Sequence, residues 1–348
     1  VPAERDAAGS VPAPPAAAAP TRRVSDPVEI EAHARLHFGF LDPSGTGARR
    51  FGGLGMAIAA SRFVARFQPA SRLVVEGDDD DRVAAIAAAF CERAGLRRRA
   101  SIQVLETIPA HVGLGSGTQI ALAVATGLAR LHGIDPGPER ICRLAGRARR
   151  SAVGFHLFQH GGLVIEAGHP REEEAAAGDP VAAAPTVPPL VARHEVPENW
   201  RVLLVVPPVD PSISGEREEE AFRRIGPASG ETTTRIRNLA LEEIGPAIAA
   251  GDLARFGAAL EEIQDLVGAC FAPLQGGLYH PAADPVVRRL REAGGSGAGQ
   301  SSWGPAVYAF ADGQEAAERL RSSVADVAPR ATVRIVRPRN AGAVIRRL

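Results

Sequence analysis

From Val28 onward the chain alternates runs of period two with longer runs of helical spacing. Val28 to His37, Gly55 to Phe67 and Arg72 to Glu76 read as strands. The acidic run Asp78 to Asp81 then opens a helix, where carboxylates face the positive end of the helix dipole. Ser101 to Ile108 reads as another strand and stops at Pro109; beyond a glycine loop, Ile120, Val124, Leu128 and Leu131 recur at helical spacing up to Gly133. A short helix is expected over Pro138 to Ala145 and a strand over Leu163 to Ala167. Further on, the pattern predicts a strand at Arg201 to Val206, helices near Glu216 to Ile225, Thr232 to Ala250 and Asp252 to Val267, and a strand, helix and strand from Ala306. No internal repeat is visible.

Two stretches break the pattern. Residues 1–27, with the Ala/Pro run Pro12 to Pro20, offer too little apolar surface to fix a structure and are expected to be a disordered tail. Gly168 to Pro189, rich in Glu, Ala and Pro, reads as a linker, so domains are expected over 28–190 and 191–348. A chain of 348 residues is long enough for two domains sharing a cleft, and the element order points to an α+β class. The acidic runs Glu172 to Glu174 and Glu218 to Glu220 read as solvated faces.

Charge narrows the chemistry. The formal net charge is zero, which gives no reason to expect a nucleic-acid partner. The sequence contains no lysine, so all 40 basic residues are arginine. A lysine P-loop, a pyridoxal Schiff base and a lysine general base are thereby excluded, and any phosphate clamp is built from backbone N–H groups and guanidinium forks. Cys91, Cys142 and Cys270 are far apart and embedded in apolar patterns, as expected of reduced thiols in a cytoplasmic protein. No apolar stretch is long enough to predict a membrane span.

The segment Pro109-Ala-His-Val-Gly-Leu-Gly-Ser-Gly-Thr-Gln119 places three glycines directly before a strongly periodic helix. Its backbone can approach a ligand closely, and the helix start offers unpaired N–H groups and about half a positive charge, a seat for phosphate. Ser116 and Gln119 have capping-box spacing. The plain alternative is a tight turn that needs glycine only for its geometry.

This loop is similar to the phosphate-binding motif of the GHMP small-molecule kinase superfamily. The aspartate those kinases use as base would fall in Ser151-Ala-Val-Gly154, where this chain has Gly154. Together with Ala34-Arg-Leu-His-Phe-Gly-Phe-Leu-Asp42, Gly52-Gly-Leu-Gly-Met-Ala-Ile58, Gln159-His-Gly-Gly162 and Gly299-Gln-Ser-Ser-Trp-Gly-Pro305, it resembles the β-ribofuranosylaminobenzene 5′-phosphate synthase branch of that superfamily. The resemblance implies a GHMP-like two-domain fold, with an N-terminal ribosomal-protein-S5-like domain and a C-terminal ferredoxin-like domain. The implied reaction condenses 5-phosphoribosyl-1-pyrophosphate with 4-aminobenzoate, releasing pyrophosphate and carbon dioxide on the way to tetrahydromethanopterin. A homodimer is a further expectation from the resemblance. The run Gly146-Arg-Ala-Arg-Arg-Ser-Ala-Val-Gly154 departs from the branch in being more basic.

On that reading Gly113, Gly115, Ser116, Gly117, Thr118 and Gln119 cradle phosphate, and Arg35 helps neutralise the leaving pyrophosphate. Asp42 is the first candidate for a Mg²⁺ contact, balanced against a turn role in Asp42-Pro-Ser-Gly45. His37 and His160 are candidates to bind pyrophosphate or carboxylate, each balanced against a satisfied structural histidine. His156 and His160 have i, i+4 spacing but lack the Glu of a zinc-protease helix. Gln300, Ser301, Ser302 and Trp303 form a polar-aromatic cluster in which Trp303 can stack on a benzoate ring, the alternative being a buried structural Trp. Val74 to Asp79 superficially resembles an acidic ribose-binding motif and reads better as a helix start. Two rival functions stay open: a divergent kinase using Glu166 or Asp42 as base, and a ligand-sensing protein without catalysis. 4-Aminobenzoate and 4-hydroxybenzoate are not distinguished, because each carries a para electron donor.

Overall fold

Strand β1 (Val28–Asp42) runs five residues beyond its expected end, and β2 (Arg49–Gln68) begins six before its expected start. Gly52, Gly53 and Gly55 resemble loop residues in the sequence, yet each lies within β2 where a neighbour leaves no room for a side chain. A Cβ at Gly53 would sit 3.0 Å from Val153, and one at Gly55 would overlap the Leu36 carbonyl. The computed structural model describes residues 26–43, 45, 47, 49–170, 186–208 and 228–348. The expected tail, apart from its last two residues, Glu172 to Glu174, and the helix near Glu216 to Ile225 with Glu218 to Glu220 lie outside the described residues.

The first sheet has the order β12-β1-β2-β4-β3, using β3 (Leu73–Gly77), β4 (Ala100–Glu106) and β12 (Val344–Arg347). β5 (Leu163–Glu166) and the short β6 (His169–Pro170) pair with the first half of β2, and β7 (Leu190–His194) pairs with β5. Helices α1 (Asp80–Arg93), α2 (Ser116–Leu131), α3 (Pro138–Leu144) and α4 (Val153–His160) accompany this sheet. The division expected at residue 190 therefore needs correcting on both sides: β7 and the C-terminal β12 hydrogen-bond to the first sheet. Period-two patterns reveal strands without revealing their partners.

The second sheet, β11-β8-β10-β9, is antiparallel throughout. It comprises β8 (Trp200–Val206), β9 (Ser296–Gln300), β10 (Val307–Asp312) and β11 (Thr332–Val336), the strand order of a ferredoxin-like domain. β9 was not expected, because Ser-Gly-Ala-Gly-Gln reads as a loop; Gly299 instead admits Gln264 against the strand. The expected helix over Thr232 to Ala250 is α5 (Gly230–Asn238), a π-helical turn (Leu239–Ile244) and α6 (Gly245–Ala250) in sequence. α7 (Leu253–Gln275), α8 (Asp284–Glu292) and α9 (Gly313–Ser323) complete the domain.

One apolar core spans both sheets. Phe38 of β1 meets Tyr308 at 5.1 Å and Phe310 at 6.2 Å, and Trp200 packs on Phe256 at 5.0 Å. Buried aromatic side chains carry the largest apolar area per residue, so this cluster fixes how the second domain meets β1. Among the described residues no helix is long and apolar enough to cross a membrane.

Candidate active site

The glycine loop ends at Gly115, which takes a left-handed conformation (φ 74°) as the N-cap of α2. Having no side chain, it leaves the first amides of the helix without a side-chain cap. The expected capping box does not form: Ser116 is the first helical residue, and Gln119 donates to the Gly154 carbonyl at 2.8 Å. Arg35 lies over the N-cap and donates to the Gly113 carbonyl at 2.8 Å. A Cβ on Gly115 would fall 2.6 Å from the Arg35 Nε, so this glycine makes room for a guanidinium as well as for the turn.

Helix α4 starts on the same cavity, and its N-cap, Ala152, also supplies no side-chain hydrogen bond. Between the two helix starts lies a cavity of about 500 Å³. Arg35, Arg82, Arg147, Arg149 and Arg150 line it, and among the described residues no aspartate or glutamate does. Arg82 donates to Ser116 Oγ at 3.2 Å and pairs with Asp79 at 3.0 Å. Arg147 reaches the first turn of α2, where burial and the charges of Arg82, Arg93 and Arg149 hold its pKa below the usual arginine value. His111, Ala148 and Ser302, three of the five non-glycine residues with positive φ among the described residues, also line the cavity. Such conformations cost free energy and persist where surrounding structure enforces them, often at functional sites.

The enforcing structure is a clasp between the domains. Ser301 accepts the His37 N–H at 3.0 Å and donates to the Gly113 carbonyl at 2.7 Å; Ser302 N–H reaches the His37 carbonyl at 3.1 Å, and Ala306 N–H the Val112 carbonyl at 3.1 Å. His37 sits between two bulges of β1, its Nδ1 accepting from Gly39 N–H at 3.3 Å and its Nε2 lying 3.2 Å from Ser151 Oγ. Burial, with the adjacent charge of Arg35, pushes its pKa down to about 3. His37 is thus neutral, and its ring forms part of the wall beside Phe40, 5.2 Å away. Trp303 closes the wall, edge-on to Phe271 at 4.8 Å. His37, Phe40, Ser302 and Trp303 also border a narrow annex of about 50 Å³ lined by Phe38, Val267, Phe271 and Leu278. The annex amides are engaged within the protein: Gln264 with the Phe38 carbonyl and Gln300 N–H, Gln300 with His280 N–H and the Ser302 carbonyl.

Of the residues picked from the sequence, the cavity brings together Arg35, His37, Gly113, Gly115, Ser116, Gly117, Thr118, Ser302 and Trp303. Gln300 lines the annex, while Ser301 and Gln119 are buried supports. Two expectations are corrected. Asp42, expected as a catalytic and magnesium-binding group, lies outside the cavity lining; its buried carboxylate accepts N–H bonds from Gly45 at 2.9 Å and Gly47 at 2.8 Å, with Arg237 3.9 Å away. Its turn role is the one realised. His160 is exposed at the far end of α4, about 10 Å from the helix start that faces the cavity. Arg82, Arg147, Arg149, Arg150 and Ser151 were not picked; the signals were the basic run from Arg147 and the absence of lysine. Among the described residues no group of three or more His, Cys, Asp or Glu is placed to hold a metal. The described residues of the wall offer hydroxyls, backbone amides, imidazoles and guanidinium groups, and no carboxylate of the kind magnesium favours.

Family models for the GHMP kinases N terminal domain and the GHMP kinases C terminal match residues 81–159 and 245–330. The β-ribofuranosylphenol 5′-phosphate synthase of Archaeoglobus fulgidus is 33% identical over 289 residues, covering 82% of this chain and 88% of the relative. That of Methanothermobacter thermautotrophicus is 30% identical over 324 residues, covering 90% and 97%. The chain belongs to the β-ribofuranosylphenol 5′-phosphate synthase family. The fold also matches the solved homoserine kinase of Cytophaga hutchinsonii, with a TM-score of 0.65 at 19% identity over 93% of this chain and 98% of that one.

Gly154, where the resemblance placed the kinase base, is the second residue of α4, and a Cβ there would lie 2.8 Å from the Thr118 methyl group. The close approach of α4 to the start of α2 thus occupies the space a base at 154 would need. Gly154→Asp is expected to lower unfolding stability by about 1–3 kcal/mol in urea titration, as overpacking does. It is also expected to create no ATP-dependent phosphoryl transfer to small alcohols; such transfer would show that only the missing carboxylate separates this site from a kinase.

Proposed function

We propose that the cavity joins 5-phosphoribosyl-1-pyrophosphate to a para-substituted benzoate at the ring carbon bearing the carboxylate, releasing pyrophosphate and CO₂. The observation that carries this reading is the cavity wall: the start of α2 without a side-chain cap, the start of α4 and five guanidinium groups, with no carboxylate among the described lining residues. Such a wall suits a substrate with phosphate at both ends and a step in which negative charge grows on a leaving group. The C1′–O bond breaks toward pyrophosphate and the electron-rich ring carbon supplies the new C–C bond. The pair from the C–COO⁻ bond then restores aromaticity. No strong base is required, consistent with Gly154.

The annex suits the neutral para substituent, because Phe38, Val267, Phe271 and Leu278 supply apolar wall and the Gln264 and Gln300 amides are already engaged. The relatives are named for a phenol product, which favours 4-hydroxybenzoate as acceptor, with 4-aminobenzoate as the analogue to compare. Magnesium enters this reading only as a partner of the pyrophosphate, and no step is assigned to it. Incubation with the pyrophosphate donor and carboxyl-labelled 4-hydroxybenzoate or 4-aminobenzoate is expected to release labelled CO₂ only when the donor is present. ATP consumption with small alcohols and no CO₂ release would overturn the reading in favour of a kinase.

A further inference from the structure

Resting on that reading, we propose that the annex is a length filter for the para substituent of the acceptor, and that Val267 and Leu278 set its limit. The annex opens on the main cavity where His37, Phe40, Ser302 and Trp303 border both spaces. Its volume is about 50 Å³, against about 500 Å³ for the main cavity. A site that encloses a benzene-sized ring measures about 150 Å³, so the ring stays at the junction and only a substituent passes inward.

Two glycines shape this slot between β1 and α7. Gly39 lies at a bulge of β1 with φ 131°, a conformation that other residues rarely adopt. A Cβ there would come within 3.0 Å of a Val267 methyl group, which places Val267 directly across from the bulge. Gly268, the next residue of α7, lets the Leu278 carbonyl rest against the helix, 2.5 Å from where its own Cβ would be. Gln264, Val267, Gly268, Phe271 and Gln275 recur every three or four residues, so a single face of α7 forms this wall.

A filter needs walls that do not yield. Leu278 is carried by the turn after α7, and hydrogen bonds hold that turn along its length. The Leu278 carbonyl accepts from Gln275 Nε2 at 2.7 Å, and His280 N–H donates to Gln300 at 2.7 Å. Between them the Tyr279 hydroxyl donates to Asp265 at 2.8 Å and accepts from Arg291 at 2.7 Å, while Arg291 bonds Asp265 at 3.0 Å. Val267 is buried against Gly39. Widening the slot therefore breaks polar contacts or moves a helix, and close-packed walls register the addition of even one methylene.

The filter also aims the ring. Para positions lie on opposite sides of a benzene ring, so a substituent seated in the annex turns the carboxylate-bearing carbon back toward the main cavity, where the ribosyl donor is held. A hydroxyl or amino group fits the slot in this pose. A longer chain on the same oxygen or nitrogen meets Val267 and Leu278 and pushes the reacting carbon out of line.

The test compares 4-methoxybenzoate with 4-propoxybenzoate, which carry the same kind of ring donor and differ by two methylenes. Each is added as a competitor while donor-dependent CO₂ release is followed from 4-hydroxybenzoate or 4-aminobenzoate, whichever is turned over. The ratio of the two inhibition constants is read within each protein, so a general loss of activity in a variant cancels. Wild type is expected to bind the methoxy compound about 100-fold more tightly, since one methylene that a pocket cannot take is worth about 10-fold or more. Val267→Ala and Leu278→Ala are each expected to shrink that ratio about tenfold. Leu241→Ala, which removes an exposed leucine outside the annex lining, is expected to leave it unchanged. Leu278 is 43% exposed, so its truncation keeps the test decisive if Val267→Ala fails to fold. A wild-type ratio near one, or a folded Val267→Ala or Leu278→Ala variant that keeps the wild-type ratio, would overturn the filter and leave the parent reading standing. No donor-dependent CO₂ release from either acceptor in wild type would remove the parent reading and the filter with it.

Discussion

Gly304→Ala is expected to cost about 4 kcal/mol or more in urea unfolding, at the extreme of single-residue effects, and to abolish activity with it. A Cβ at 304 would overlap the backbone of Val112 and Gly113, and one at Gly113 would overlap the Ser301 carbonyl. Two backbones cross there with no side chain to rotate away, so relief requires moving the glycine loop or the strand end that follows β9. Ordinary overpacking of a core, about 1–3 kcal/mol, is relieved by rotamer shifts that this crossing does not offer. The same movement would break the Ser301 to Gly113 bond and carry Ser302 and Trp303 out of the cavity wall. Gly230→Ala is the control: nothing lies within 4 Å of its Cβ position, so its unfolding midpoint is expected to stay unchanged or rise slightly. A Gly304→Ala midpoint equal to that of the control would mean that the two domains do not meet through this crossing.

How far the sequence revealed this arrangement depended on whether a feature was local. The phosphate seat was legible because its glycines, helix start and periodic apolar face adjoin along the chain. The clasp was half legible: Gly299 to Pro305 stood out by composition, but its partner, the Gly113 carbonyl, is 188 residues from Ser301. Asp42 was ambiguous because a carboxylate before Pro-Ser-Gly satisfies turn amides as readily as it binds a cation; both its oxygens accept backbone N–H groups. Glu166 entered the sequence reading only as a rival kinase base; that its buried carboxylate accepts Ala152 and Gly168 N–H, tying the end of β5 to the start of α4, is a contact that only the fold brings about.

The basic run from Arg147 to Arg150 illustrates why a departure from a family pattern is informative once its surroundings are known. In the sequence it weakened the comparison; in the structure it completes a wall of five guanidinium groups whose described lining residues include no carboxylate, with Arg82 reaching back to Asp79 behind the wall. A crowd of partly buried cations is unfavourable in the ligand-free protein and is retained where an anion is to be bound.

That trade can be measured with Arg147→Met, which keeps an apolar stem and removes the charge. Arg147 is half-buried, its Nε has no hydrogen-bond partner among the described residues, and Arg82, Arg93 and Arg149 crowd it. Removing the cation relieves desolvation and repulsion, so the ligand-free variant is expected to unfold at higher temperature, by about 1 kcal/mol in stability. Donor affinity is expected to fall about 100-fold, close to 2.7 kcal/mol, because a desolvated phosphate loses a charged partner at the start of α2. Since a ligand that binds only the folded state stabilises it in proportion to affinity, saturating donor should then raise the melting temperature of wild type more than that of the variant. Opposite signs with and without donor are the signature of a cation held for its ligand. A variant less stable without donor and unaltered in donor binding would make Arg147 a packing residue and leave the anion seat to Arg35 and Arg82.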